Sequence, residues 1–429
     1  MKYYSEMTIE ELKEEEEALM ISYEACQAKE LRLNMARGKP SSVQLDISND
    51  MLGAVTKRNG YHSEDGLDCR NYGGTFGIPE AQRTLASIME CNPEHVIVYG
   101  NSSLNLMFDL ISYAYTHGLN GNTPWGKLPE VKFLCPVPGY DRHFAVTEHF
   151  GIKMINIPMD ENGPDMDMVE QYVNNDPTVK GMWCVPKFEN PEGICYSDEV
   201  IRRMAGLRRA ADDFRIYYDN AYAVHYLYED DQPKILNLID ACVEAGHPDI
   251  YFEFCSTSKI TYAGGGISGM TASENNLSEV RNLMSVSTIG YDKVNMLRNA
   301  RYLKEGAAIP EVMMKHAAIL RPKFELVVNM LEEEIGPRGI GSWVSPKGGY
   351  FVSFHAMKGC AKEIVRLAKE AGVVLTPAGA PFPYGKDPDD SVIRIAPSLP
   401  PMGELKDAME IFMICVKLAS VRKLQEELA

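Results

Sequence analysis

The chemistry this chain can offer is concentrated around one lysine. The stretch Ser256-Thr257-Ser258-Lys259-Ile260-Thr261-Tyr262-Ala263-Gly264-Gly265-Gly266-Ile267-Ser268-Gly269 sets Lys259 between a hydroxyl cluster and a triple glycine. The apolar run Ile250 to Cys255 before it reads as a buried strand. A lysine at the exit of such a strand is poorly solvated, which disfavours the ammonium and lowers its pKa. The free amine can then form a Schiff base with a carbonyl. The hydroxyls and glycine backbone beside it can hold an anion such as a phosphate. A surface lysine before a glycine-rich turn is the plainer alternative.

Lysine and phosphate together point to pyridoxal phosphate, if other residues complete the site. The cofactor needs a carboxylate at its ring nitrogen, a donor at its ring hydroxyl, a phosphate cradle and usually an aromatic ring on one face. With the ring protonated it draws electrons and lowers the cost of a carbanion at a substrate α-carbon. Asp219 ends the apolar run Tyr217-Tyr218 and can serve the ring nitrogen, or simply end a strand. Asn190, in Asn190-Pro191-Glu192-Gly193, can donate to the ring oxygen, although this is also a common turn. Tyr140 leaves a strand on Pro136-Val137-Pro138-Gly139 and can stack on the ring, or sit half-buried in a loop. Gly100-Asn101-Ser102-Ser103 leads straight into a helix, whose free N–H groups form an anion site unless a serine caps them. Arg394 interrupts the apolar strand Val392 to Ala396. Its charge requires a partner there, either a substrate carboxylate or an internal acid.

Strands and helices must bring these positions together. Strands are expected at His95–Tyr99, Val131–Cys135, Lys153–Ile157, Gly181–Val185, Arg215–Tyr218 and Ile250–Phe254, mostly with helices between them. That alternation implies a mainly parallel sheet covered on both faces, with ligands at the strand exits. After about residue 290 the pattern becomes α+β. It begins with a long helical region, Tyr291 to about Glu334, broken near Pro310, and ends with a helix from Glu404 to about Glu426. Helices are also expected around Glu10–Met20 with Thr8 as cap, over Pro79–Met89 and over Asp198–Ala211.

Composition narrows the class. The chain has 429 residues, 45% hydrophobic and 24% charged, enough for two or three core-bearing units. A net charge of -17 argues against a nucleic-acid surface. No apolar run approaches the roughly 20 residues needed to span a bilayer, and no secretory signal is visible at the N-terminus. Ten scattered cysteines and nine scattered histidines, without metal-ligand spacing, suggest a reduced, cytoplasmic chain with no metal site.

Taken in order, Tyr72, Gly100 to Ser103, Tyr140, Asn190, Asp219, Tyr222, Lys259 and Arg394 resemble the fold-type I, class I/II aminotransferases dependent on pyridoxal phosphate. The resemblance covers roughly residues 33 to 400 and looks closest to a bacterial branch of aspartate aminotransferases. It implies an α/β chain with a mainly parallel seven-stranded sheet in a large domain, residues 51–299. A small α+β domain, residues 300–429, is joined by residues 1–50. It implies Lys259 as the Schiff-base lysine and Asp219 and Tyr222 at the ring nitrogen and ring hydroxyl. Asn190 and Tyr140 contact the ring, and Asn101, Ser102, Ser103, Ser256 and Ser258 surround the phosphate. Arg394 and Gly38 receive the substrate α-carboxylate together with Asn190. Tyr72 reaches the phosphate of a neighbouring subunit, so a homodimer is expected. Substrates are an amino acid and a 2-oxo acid, with aspartate and 2-oxoglutarate expected. One departure stands out: where the family usually places a phosphate-binding arginine after the lysine, this chain has Gly264-Gly265-Gly266-Ile267-Ser268. A carbon–sulfur β-lyase and a regulatory protein with an inactive aminotransferase domain are the rival readings. Arg37, Lys39 and Arg142 are candidates for a distal carboxylate.

Overall fold

The computed structural model describes residues 2–429. Its strands form three sheets. The first, β1 (Leu33–Asn34), belongs to the smallest. The largest holds β2 (Val96–Val98), β3 (Lys132–Val137), β4 (Lys153–Asp160), β5 (Gly163–Pro164), β6 (Val179–Cys184), β7 (Arg215–Asp219), β8 (Tyr251–Ser256) and β9 (Ser268–Thr271). Their order is β2-β9-β8-β7-β6-β3-β4-β5. The block from β8 to β4 is parallel, while β2, β9 and β5 pair antiparallel. The sheet therefore has eight strands where seven were expected. The extra one is β5, a two-residue return after the turn at Asp160, too short to carry an alternating pattern.

Every residue of β6 and β7 is buried, as a sheet covered on both faces requires. Tyr217 packs with Phe133, Phe252 and Phe254 on one side. Ile216 and Tyr218 pack with Leu134, Ile201 and Met204 on the other.

The remaining strands lie in the last third of the chain: β10 (Gly341–Trp343), β11 (Val352–Ala356), β12 (Val373–Val374) and β13 (Val392–Ile395). β10, β11 and β13 form an antiparallel sheet. β12 pairs in parallel with β1, Leu33 opposite Val373. The first helix, Ile9–Gln27, opens on a capping box between Thr8 and Glu11 and lies along the last helix, Met402–Leu428. Leu12, Leu19 and Tyr23 share one core with Leu320, Phe354, Ile364 and Val416.

One helix ends earlier than expected, and the break expected near Pro310 falls just before it. The 198–211 helix stops at Ala205, with Gly206 as its cap. The 291–334 region is two helices, Lys293–Tyr302 and Ile309–Glu334, separated by left-handed Lys304 and Glu305. Pro310 lies in the first turn of the second, where its missing N–H costs nothing.

Candidate active site

β7 and β8 run side by side, Asp219 opposite Phe254, and both deliver chemistry at their C-terminal ends. Asp219 is the last residue of β7. Lys259 lies in the turn just after β8. Between them is a cavity of about 180 Å³ lined by Ser102, Ser103, Tyr140, Asn190, Asp219, Tyr222, Ser256, Ser258 and Lys259, with Leu104, Val185 and Ala221.

Asp219 is buried, and its two oxygens differ. Oδ2 lies 3.0 Å from His143 Nε2, whereas Oδ1 has no partner among the described residues. His143 is itself fixed, its ring stacked on Trp183 with centroids 4.4 Å apart. Lys259 Nζ lies 4.8 Å from the centroid of the Tyr222 ring and, among the described residues, forms no ion pair. Burial lowers its pKa from the usual lysine value, and the charge of Asp219 works the other way. Nearby His225 is buried, with neither ring nitrogen bonded, and burial followed by the Lys259 charge lowers its pKa to about 3. Its imidazole is therefore neutral. Burial raises Tyr140 to about 12 and Tyr222 well above the usual phenol value, so both keep their protons.

The helix Ser103–His117 begins at the cavity wall. Ser102 is its N-cap residue, but the serine side chain makes no capping bond. The N–H groups of Ser103 and Leu104 thus remain available to an anion, while that of Asn105 donates to the Ser102 carbonyl at 3.2 Å.

The other expected residues lie outside this lining. Asn101 is exposed, and its carbonyl accepts the Ser258 hydroxyl at 3.0 Å. Tyr72 is 78% exposed. The triple glycine is pinned from behind: Asn299 Nδ2 donates to the Gly265 carbonyl (3.0 Å) and Asn295 Nδ2 to that of Gly266 (2.9 Å). Arg298, beside this loop, donates to Asn295 Oδ1 at 2.5 Å and does not line the cavity. Arg37, Lys39 and Arg142 are exposed and also lie outside the lining.

Arg394 is buried in β13 opposite Ser353. Its Nη1 donates to an internal acid, Asp141 Oδ1, at 2.8 Å, and to Asn190 Oδ1 at 3.3 Å. The guanidinium carbon lies 5.0 Å from the centroid of the Phe351 ring. A Cβ on Gly38 would come within 2.3 Å of that ring, so only glycine lets the backbone pass here. Sequence reasoning missed His143, Asp141 and His225. His143 stands three residues after Tyr140, one helical turn on, which is the one signal that could have raised it.

This sheet order, with a lysine just past one strand and a buried aspartate ending the next, is that of fold-type I pyridoxal-phosphate transferases. The family described as Aspartate amino-transferase matches residues 7–427, and the chain belongs to it. It is similar to an aspartate aminotransferase of Corynebacterium glutamicum, 44% identical over 399 residues, 93% of this chain and 92% of that one. It also superposes on the crystal structure of an aspartate transaminase from Corynebacterium glutamicum, with a TM-score of 0.95 and 42% identity over 99% of both chains. The chain is an aminotransferase.

Proposed function

We propose that this aminotransferase binds pyridoxal phosphate in the Lys259–Asp219 cavity and moves the amino group of aspartate to 2-oxoglutarate, working as a homodimer. The observation that carries the reading is the unpartnered Asp219 Oδ1, buried beside a lysine without an ion pair. A buried carboxylate oxygen without a donor is costly. A protonated ring nitrogen is the donor that would relieve it, and the uncapped helix at Ser103 suits the phosphate.

Bound there, pyridoxal phosphate supplies an aldehyde that exchanges amines and a ring that draws electrons from the substrate α-carbon. Asp219 Oδ1 would accept the ring N–H, its carboxylate held in place by His143, which stacks on Trp183. Asn190 and Tyr222 would serve the ring oxygen, and Tyr140 would lie against the ring. Ser103 and Leu104 would offer backbone N–H groups to the phosphate, beside Ser102, Ser256 and Ser258. Lys259 Nζ would tie the cofactor and is the amine placed to take the substrate α-proton. Its lowered pKa keeps the free amine available for that task. Arg394 receives the α-carboxylate next to Asn190 and the Gly38 backbone. Residues 51–299 hold the cofactor, and residues 1–50 with 300–429 bring Arg394 to it. Exposed Tyr72 fits a role in a second subunit's site.

Aspartate is favoured by the similarity to the aspartate aminotransferase of Corynebacterium glutamicum. A screen of amino donors against 2-oxoglutarate tests it: aspartate should give the highest kcat/KM, and inert aspartate would overturn it. Lys259→Ala should abolish both turnover and the visible absorbance of the bound cofactor. A variant that keeps both would refute the role of Lys259.

A further inference from the structure

Arg394 is the residue assigned above to the substrate α-carboxylate, yet its fork is already engaged. Nη1 is held by Asp141 Oδ1 at 2.8 Å and by Asn190 Oδ1 at 3.3 Å, and Nε points at Thr376 Oγ1, 3.4 Å away. A guanidinium recognises a carboxylate best through two parallel N–H groups. Asp141 occupies one of them.

The two partners differ in their access to water. The Arg394 side chain is 8% exposed and that of Asp141 is 32% exposed. The acid, not the base, has a route out. Asp141 is also the first residue of the helix Asp141–His149, directly after the cavity residue Tyr140. Arg394 does not depend on Asp141 for its orientation. Thr376 Oγ1, its neighbour, is fixed by its own bond to the Ala36 carbonyl at 2.8 Å, and the Phe351 ring lies beneath the guanidinium. A second carboxylate cannot simply join the pair, because two like charges a few ångströms apart repel in a buried site.

We propose that Asp141 is a built-in competitor for the substrate carboxylate. It neutralises Arg394 while the site is empty and swings toward solvent when an amino acid or 2-oxo acid binds. The proposal rests on the carboxylate assignment of Arg394. It also makes Asp141 a specificity device. A ligand with a carboxylate replaces one ion pair with another, whereas an amine without one leaves the Asp141–Arg394 pair closed and gains no anchor. If Asp141 only positioned Arg394, its loss would weaken binding. As a competitor, its loss strengthens binding, so the sign of the effect decides.

The test uses the holoenzyme and succinate, a dicarboxylate that cannot be transaminated, with binding measured by calorimetry. D141N should bind succinate about tenfold more tightly than the unaltered enzyme, the scale of one charge-assisted hydrogen bond no longer displaced. KM for both substrates should fall without a rise in kcat. D141S repeats the test without an amide, and D141E, which keeps the charge, should bind close to the unaltered enzyme. Unchanged or weaker binding by D141N and D141S, with binding lost in R394K, overturns the competitor role alone. Undiminished binding in R394K overturns the carboxylate assignment on which it rests.

Discussion

At the scale of single residues, Gly38 shows how tightly the carboxylate end is built. It offers no chemistry of its own, but a methyl group there would press to 2.3 Å from the Phe351 ring that supports Arg394. Gly38→Ala should therefore act through Arg394. Overpacking of this kind costs typically 1–3 kcal/mol. We expect a lower melting temperature and a KM for both substrates raised several-fold, with the cofactor's absorbance retained. An unchanged KM would separate Gly38 from the site. Lys259, Asp219 and Arg394 were legible in the sequence because each is a charge at or within an apolar run, where the cost of burial demands a reason. Asp141 and His143 were not, because an acid and a histidine in a first helical turn are ordinary on any helix. Only the fold sets them against residues 253 and 76 positions away.

Elements were easier to read where burial is continuous. β6 and β7 are buried throughout and β8 at all but its last residue, and all three appear close to where the sequence places them. β1 and β5 have two residues each and owe their existence to the neighbours they pair with. Within β8 one residue breaks the apolar rule. Glu253 is buried, its Oε1 accepting Asn220 Nδ2 at 3.0 Å, and burial raises its carboxyl to about 8 from 4.5. The folded chain then keeps a proton that the unfolded chain releases. Its contribution to stability is full below about pH 4.5 and is lost as pH rises to about 8. Glu253→Gln retains an oxygen for Asn220 and removes the titration. Its urea midpoint should exceed that of the unaltered protein at pH 8, and the gap should close toward pH 5. A gap that does not vary with pH would contradict this.

The whole molecule raises the question of how many chains make one site. Tyr72 is 78% exposed in its own chain, while Lys259 is enclosed. If Tyr72 serves a second subunit, two defective proteins can repair each other. Mixed and refolded together, Lys259→Ala and Tyr72→Ala subunits give a hybrid dimer with one intact site, formed by Lys259 of one chain and Tyr72 of the other. Activity well above the sum of the two separate variants is the expected result. No recovery, or a monomer in sedimentation, would remove Tyr72 from the phosphate. The departure at Gly264 to Gly266 also belongs to this scale. The loop is secured by Asn295 and Asn299, residues from a helix that sequence alone could not place beneath it.

The pairing of the first helix with the last has a consequence for biosynthesis. Ile9–Gln27 leaves the ribosome early, carrying Leu12, Leu19 and Tyr23 on the face that packs with Val416. Its cover, Met402–Leu428, is made only after residues 28–401. At about 5–20 residues per second the wait is on the order of tens of seconds. Throughout that time a nascent chain shows a greasy stripe to every other nascent chain nearby. Until that cover is made, the like charges of Glu14 to Glu17 on the same helix are the chain's own means of keeping such stripes apart.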